Sequence, residues 1–182
     1  LLDLPFYTEG PAVDGQGNFY FTGLSGGFIG KIAVDGCYSE WAKGVCPNGQ
    51  VLTPDGKHWC CDSKESAISS YDSDGRFLGY LVQEFCADEQ VHSPNDLLLD
   101  SHLNLYFTDS IRYEGKVFYK SKSGEERLVA GNIDYANGLV LSPDERFLFI
   151  AESYQNRILM VELSEPGAPK GRPQVFAELP QN

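Results

Sequence analysis

The sequence predicts an all-β chain organised as a β-propeller of four-stranded blades, and three observations point to it. One stretch of sequence recurs four times in 182 residues, the copies start 39, 47 and 42 residues apart, and short β-forming runs alternate with tight turns from end to end. A spacing of that size is the length of one four-stranded blade. A two-sheet sandwich has no reason to repeat its sequence in this way.

The copies begin at Glu9, Asn48, Asn95 and Asn137. They open Glu9-Gly-Pro-Ala-Val-Asp-Gly, Asn48-Gly-Gln-Val-Leu-Thr-Pro-Asp-Gly, Asn95-Asp-Leu-Leu-Leu-Asp and Asn137-Gly-Leu-Val-Leu-Ser-Pro-Asp. Glu9 to Gly23, Asn48 to Asp62 and Asn95 to Asp109 each span 14 positions, and Asn137 to Glu152 spans 15, the extra residue falling in the Pro143-Asp144 turn. Strand-forming runs such as Phe19-Tyr-Phe-Thr, Ile68-Ser-Ser-Tyr, Lys116-Val-Phe-Tyr and Arg157-Ile-Leu-Met-Val lie between turns of the Asp14-Gly15, Asp35-Gly36, Asp55-Gly56 and Asp74-Gly75 type. No window carries apolar residues at helical spacing for three turns. Residues 1–182 are therefore expected to form one propeller domain, with repeats at about 9–47, 48–94, 95–136 and 137–182. A six-bladed ring at about 42 residues per blade needs roughly 250 residues. The expectation is thus about four blades of a six-bladed ring, a piece of a longer protein, with Tyr106 and Phe149 buried between blades.

Composition narrows the partners. Asp plus Glu total 26 against 14 for Lys plus Arg, a formal charge of −12, which argues against nucleic acid and is compatible with cation binding. The apolar runs are far below membrane length, so no membrane partner is expected. Five cysteines, at 37, 46, 60, 61 and 86, have no metal-type spacing. At least one of Cys60 and Cys61 should be a buried small apolar residue, and a disulfide such as Cys46 to Cys86 is left open.

Equivalent positions of a cyclic repeat converge on its axis, so Glu9, Asn48, Asn95 and Asn137 are expected at a central oxygen-donor site. One carboxylate with carboxamide oxygens is a hard donor set, suited to Ca²⁺ or Mg²⁺ and not to a thiolate or imidazole zinc site. Histidine is outside it: His58 and His102 are expected in turns and His92 in solvent. Asn-Gly before a strand is also an ordinary turn signal, so for Asn48-Gly49 and Asn137-Gly138 a plain turn stands beside the donor assignment. Asp62, Asp109 and Glu152, in equal register at the far end of each copy, are expected to cap backbone N–H groups in the turn that follows.

Glu9-Gly-Pro, Ser93-Pro-Asn-Asp-Leu with Tyr106-Phe-Thr-Asp, and Asn137-Gly-Leu-Val-Leu-Ser-Pro-Asp with Ala151-Glu-Ser resemble the regucalcin/gluconolactonase family of six-bladed propellers, to which diisopropyl fluorophosphatase is similar in fold and site. The resemblance runs through essentially the whole chain. It implies a divalent metal, Ca²⁺ first and Zn²⁺ or Mg²⁺ as alternatives, held here by Glu9, Asn95 and Asn137. It also implies hydrolysis of a small-molecule lactone or ester, with the metal polarising the ring carbonyl. The family's Asp ligand belongs to a following blade, so no catalytic base is assigned in this chain. Some members carry an Arg where Ser93 stands, which puts a gluconolactone-type preference in doubt. Asn48, Arg112 and Tyr113 are the candidate substrate contacts. Two alternatives stay open: a strictosidine-synthase-like or paraoxonase-like propeller, to which Phe147-Leu-Phe-Ile-Ala-Glu-Ser is similar, and a non-enzymatic binding propeller.

Overall fold

The computed structural model describes residue 4 and residues 6–180. Its strands fall into four antiparallel sheets that follow one another along the chain, as in propeller blades. The chain divides into two compact units, Leu1–Glu84 and Phe85–Asn182.

The first unit holds two sheets. Strands β1 (Thr8–Val13), β2 (Phe19–Gly23), β3 (Phe28–Ile32) and β4 (Tyr38–Lys43) form one, and β5 (Pro47–Leu52), β6 (His58–Asp62), β7 (Ala67–Tyr71) and β8 (Phe77–Gln83) belong to the other. The leading strands β1 and β5 pack against each other. Gly10 makes this approach possible: its φ is +51°, and a Cβ there would lie 2.4 Å from the Asn48 carbonyl oxygen. Gln50 crosses the same contact, its Nε2 donating to the Gly10 carbonyl at 2.7 Å. Tyr20, Ile29, Ala42, Cys60 and Tyr71 form the core between the sheets.

The second unit begins with a short hairpin, β9 (Phe85–Cys86) and β10 (Glu89–Gln90), which accounts for the longest spacing between copies. Its first blade is β11 (Pro94–Leu99), β12 (Leu105–Asp109), β13 (Gly115–Lys120) and β14 (Glu126–Ile133). The second is β15 (Ala136–Leu141), β16 (Phe147–Glu152) and β17 (Arg157–Glu165), with β18 (Ala168–Pro169) and β19 (Gln174–Glu178) both paired to β17. A three-residue 3₁₀ turn, Ser153–Gln155, is the sole helical element among the described residues. Period-2 alternation explains β16, where Leu148, Ile150 and Glu152 are buried and the residues between them half-buried. β12 is buried at every position because both its faces are covered. Tyr106, Val117 and Tyr119 from one sheet meet Leu148, Ile150, Leu159 and Val161 from the next.

Two expectations change. His58 is not in an exposed turn but opens β6, 2 % exposed, with ring centroids 4.4 Å from Tyr20 and 4.2 Å from Trp41. Aromatic packing across the two sheets captures a residue whose sequence neighbours suggest a turn. Phe149 is half-buried and packs on Phe176, which is exposed, so it lies on the far face of its sheet and not against β12. The expectation for the Cys60-Cys61 pair holds, since both are buried, and all five cysteines are free thiols.

Tyr106 is 1 % exposed and its hydroxyl accepts the Gly167 N–H at 2.7 Å. Tyr106→Ala should cost about 3–5 kcal/mol in urea unfolding, and Phe149→Ala should cost less than half as much; the reverse order would contradict this packing. Burial lowers the His58 pKa to about 4 from 6.5. The unfolded chain therefore takes up the proton first as pH falls, so the contribution of His58 is complete above about 6.5 and is lost between 6.5 and 4. The loss amounts to at most about 3 kcal/mol. Urea midpoints measured across that window should fall more steeply for the native chain than for His58→Leu.

Candidate functional site

The motif that begins each copy is a β-bulge. Ladder register shifts between Glu9 and Ala12, Pro47 and Gln50, Pro94 and Leu97, and Ala136 and Leu139. In the last three, the extra residues are Asn48-Gly49, Asn95-Asp96 and Asn137-Gly138, so each Asn has no ladder partner on the second strand of its sheet. Glu9 keeps a partner, Thr22, and Gly10-Pro11 carry the bulge. The Asn-Gly pairs are therefore not turns before a strand. They sit inside the leading strands, where a bulge re-aims a side chain away from the regular alternation.

Each unit brings two of the sequence-derived residues onto adjoining strands. In the first, Glu9 on β1 and Asn48 on β5 lie on strands in contact at Gly10. The Tyr7 hydroxyl donates to Glu9 Oε1 at 2.8 Å, and no Lys or Arg pairs with Glu9 among the described residues. Thr22, opposite Glu9, is fully buried, and its hydroxyl has no partner among the described residues. An acid without a basic partner, beside an unpaired hydroxyl oxygen, suits an oxygen-seeking cation. In the second unit, Asn95 on β11 and Asn137 on β15 lie on packed strands and are both half-buried. Asn137 Nδ2 donates to Ser153 Oγ at 3.1 Å, which leaves the carboxamide oxygen as the atom able to bind a cation.

Register alone does not reveal how these bulges are held. Asp62, Asp109 and Glu152, all nearly fully buried, reach back to the segment entering their own sheet's leading strand. Asp62 accepts the N–H groups of Val45 and Cys46 at 2.7 and 2.9 Å. Asp109 accepts those of His92 and Ser93, the latter at 2.5 Å, and Glu152 accepts that of Asp134 at 2.7 Å. The expected capping of the following turn is seen in a 3.3 Å bond from Glu65 N–H to Asp62. The preceding segment wins because its N–H groups are otherwise orphaned just before the bulge. Burial pushes the Asp109 carboxyl above its usual range, and the two N–H groups pull it partly back.

Arg112 and Tyr113 follow β12. Arg112 Nε donates to Asp134 Oδ1 at 2.7 Å, a pairing that raises the guanidinium pKa and lowers that of the carboxylate. His92 and His102 are exposed, as expected. His102 has donor atoms within 4.8 Å of Asp100 and Glu145. There, however, Asp100 caps its own turn through the N–H groups of His102 and Asn104, and Glu145 binds the Ser101 N–H and hydroxyl.

Residues 7–182 match the SMP-30/gluconolactonase/LRE-like region. The chain belongs to that family. Among SMP-30/gluconolactonase relatives, a gluconolactonase of Zymomonas mobilis is 32% identical over 141 residues, covering 69% of this chain and 39% of its own length. A lactonase drp35 of Staphylococcus saprophyticus is 30% identical over 175 residues, covering 87% of this chain and 52% of its own. The chain thus spans about half the length of these relatives or less. A solved Xanthomonas campestris gluconolactonase superposes with a TM-score of 0.84 at 23% identity, over 96% of this chain and 64% of the other, and shares the fold.

Asp109→Ala would remove the carboxylate that accepts the His92 and Ser93 N–H groups. Unfolding in urea should show a loss of about 2–4 kcal/mol; an unchanged midpoint would show that these bonds do not hold the entry to β11.

Proposed function

We propose that this chain carries part of the site of a metal-dependent hydrolase that opens lactones. The observation that carries the proposal is the bulge repeated at the start of each sheet, which takes Asn48, Asn95 and Asn137 out of the strand ladder and in the first sheet falls directly after Glu9. Family membership and the lactonases among the relatives support the reaction class.

The proposed ligands are Glu9, Asn95 and Asn137, and the proposed metal is Ca²⁺, with Mg²⁺ or Zn²⁺ as alternatives. A carboxylate and carboxamide oxygens are the donors a hard cation takes. Such a cation supplies Lewis-acid polarisation of the ester carbonyl. The chain's own part is to orient the donors: Tyr7 holds one Glu9 oxygen, and Ser153 holds the Asn137 nitrogen so that its oxygen is presented. Glu9 is proposed as a ligand rather than a base, since a bound cation would neutralise its charge. Asn48 is proposed as a contact to the substrate's ring oxygens.

The test is calorimetric titration of Ca²⁺ into chelator-stripped protein, native and Glu9→Gln, beside δ-lactone hydrolysis followed by acid release. Glu9→Gln should bind Ca²⁺ at least about tenfold more weakly while its urea midpoint moves by no more than about 0.5 kcal/mol. Undiminished Ca²⁺ binding would overturn the ligand assignment. Lactone hydrolysis that survives both chelation and the substitution would overturn the metal-dependent reading.

A further inference from the structure

Three loops of the second unit meet around one buried acid. Asp134, between β14 and β15, has a side chain only 5% exposed. Its carboxylate accepts Arg112 Nε at 2.7 Å and Nη2 at 3.4 Å, the Tyr113 N–H at 3.2 Å and Gln155 Nε2 at 2.9 Å. The guanidinium in turn lies 3.8 Å from the Tyr154 ring centroid and 4.7 Å from that of Tyr113, and it donates to the Tyr113 hydroxyl at 3.0 Å. Tyr135 packs edge-on to Tyr154 at 5.2 Å. Tyr113 and Tyr135 both hold left-handed backbone, φ +64° and +70°, at a cost of order 1 kcal/mol each for a bulky residue. Hydrogen bonds restrain them there, Tyr113 through Asp134 and Tyr135 through its N–H to the Ile111 carbonyl at 3.0 Å.

The result is two tyrosines, Tyr113 and Tyr154, 67% and 53% exposed as residues, mounted on a rigid support whose charges cancel. The support adjoins a proposed ligand, because Ser153, next to Tyr154 in the chain, holds Asn137. Fold stability gives no reason to keep exposed tyrosines so firmly placed. With Nε and Nη2 of Arg112 engaged by Asp134 and Tyr113, the cluster is poorly suited to an anion and well suited to a neutral, apolar surface.

We infer that Tyr113 and Tyr154, stiffened by the Arg112–Asp134 pair, form a recognition platform for neutral lactones bearing an apolar substituent, which it binds in preference to the anionic hydroxy acid that hydrolysis releases. The inference rests on the lactonase assignment for its substrate class. Its physical basis is stacking of aliphatic surface on rigid aromatic rings, which also favours release of the charged product.

A non-hydrolysable probe separates the two claims. Binding of a pentyl-substituted δ-lactam is measured by calorimetry for the native chain, Tyr113→Ala, Tyr154→Ala and Tyr154→Phe, with unsubstituted δ-valerolactam and the hydroxydecanoate anion as controls. Both alanine variants should weaken the substituted lactam about tenfold, Tyr154→Phe should retain it, and neither control should bind as tightly. In hydrolysis of δ-decalactone, Tyr154→Ala should raise KM by the same factor and leave kcat within about twofold. The platform is overturned if the native chain does not bind the substituted lactam, if the alanine variants bind it as well as the native chain, or if the anion binds as tightly. Lactam binding that follows the expected pattern without any lactone hydrolysis would uphold the platform and remove the lactonase assignment.

Discussion

The buried acid at the end of the second strand is the constraint on which three of the four sheets depend. A leading strand with a bulge cannot satisfy the backbone just before it through its own ladder, and N–H groups left bare in the interior are costly. Asp62, Asp109 and Glu152 meet that demand from the neighbouring strand. Each clamp sets where its leading strand begins and therefore where Asn48, Asn95 or Asn137 is presented. The first sheet has Gly23 at the equivalent position, and there the close approach of β1 to β5 over Gly10 and the Gln50 crossing bond take over.

Around these clamps the sheets are joined by unlike means. In the first unit an aromatic set built from Tyr20, Trp41 and Tyr71 encloses the neutral His58 ring. In the second, aliphatic side chains from β16 and β17 pack on Tyr106 and Tyr119. Blade packing needs area and shape rather than particular residues, so one backbone repeat accommodates two quite different cores.

Stability and the candidate chemistry share atoms. Ser153 closes the turn after β16 and also orients Asn137, while Asp134 joins the clamp at Glu152 to the Arg112 cluster. Glu152 further pairs with Arg157 at 2.5 Å, so one buried acid serves both the strand entry and the β16–β17 pair. A change in this region therefore acts on strand entry and on the proposed ligand face together.

The repeat, its period and the apolar alternation are local properties, and they alone determined the all-β class, the order of the sheets and the register of Glu9, Asn48, Asn95 and Asn137. Strand pairing follows side-chain period and turn chemistry, both written in short windows. Tertiary structure decided that the Asn-Gly pairs are bulges and not turns, because a bulge exists only relative to a partner strand. It decided that His58 is buried, since its neighbours Tyr20 and Trp41 come from another sheet, and that Phe149 is not buried against β12. It likewise decided that Asp62, Asp109 and Glu152 reach back to residues 16 to 18 positions earlier, and that Arg112 is neutralised by Asp134, 22 positions later. Such pairings depend on which strands and loops become neighbours in space, and no spacing along the chain encodes that.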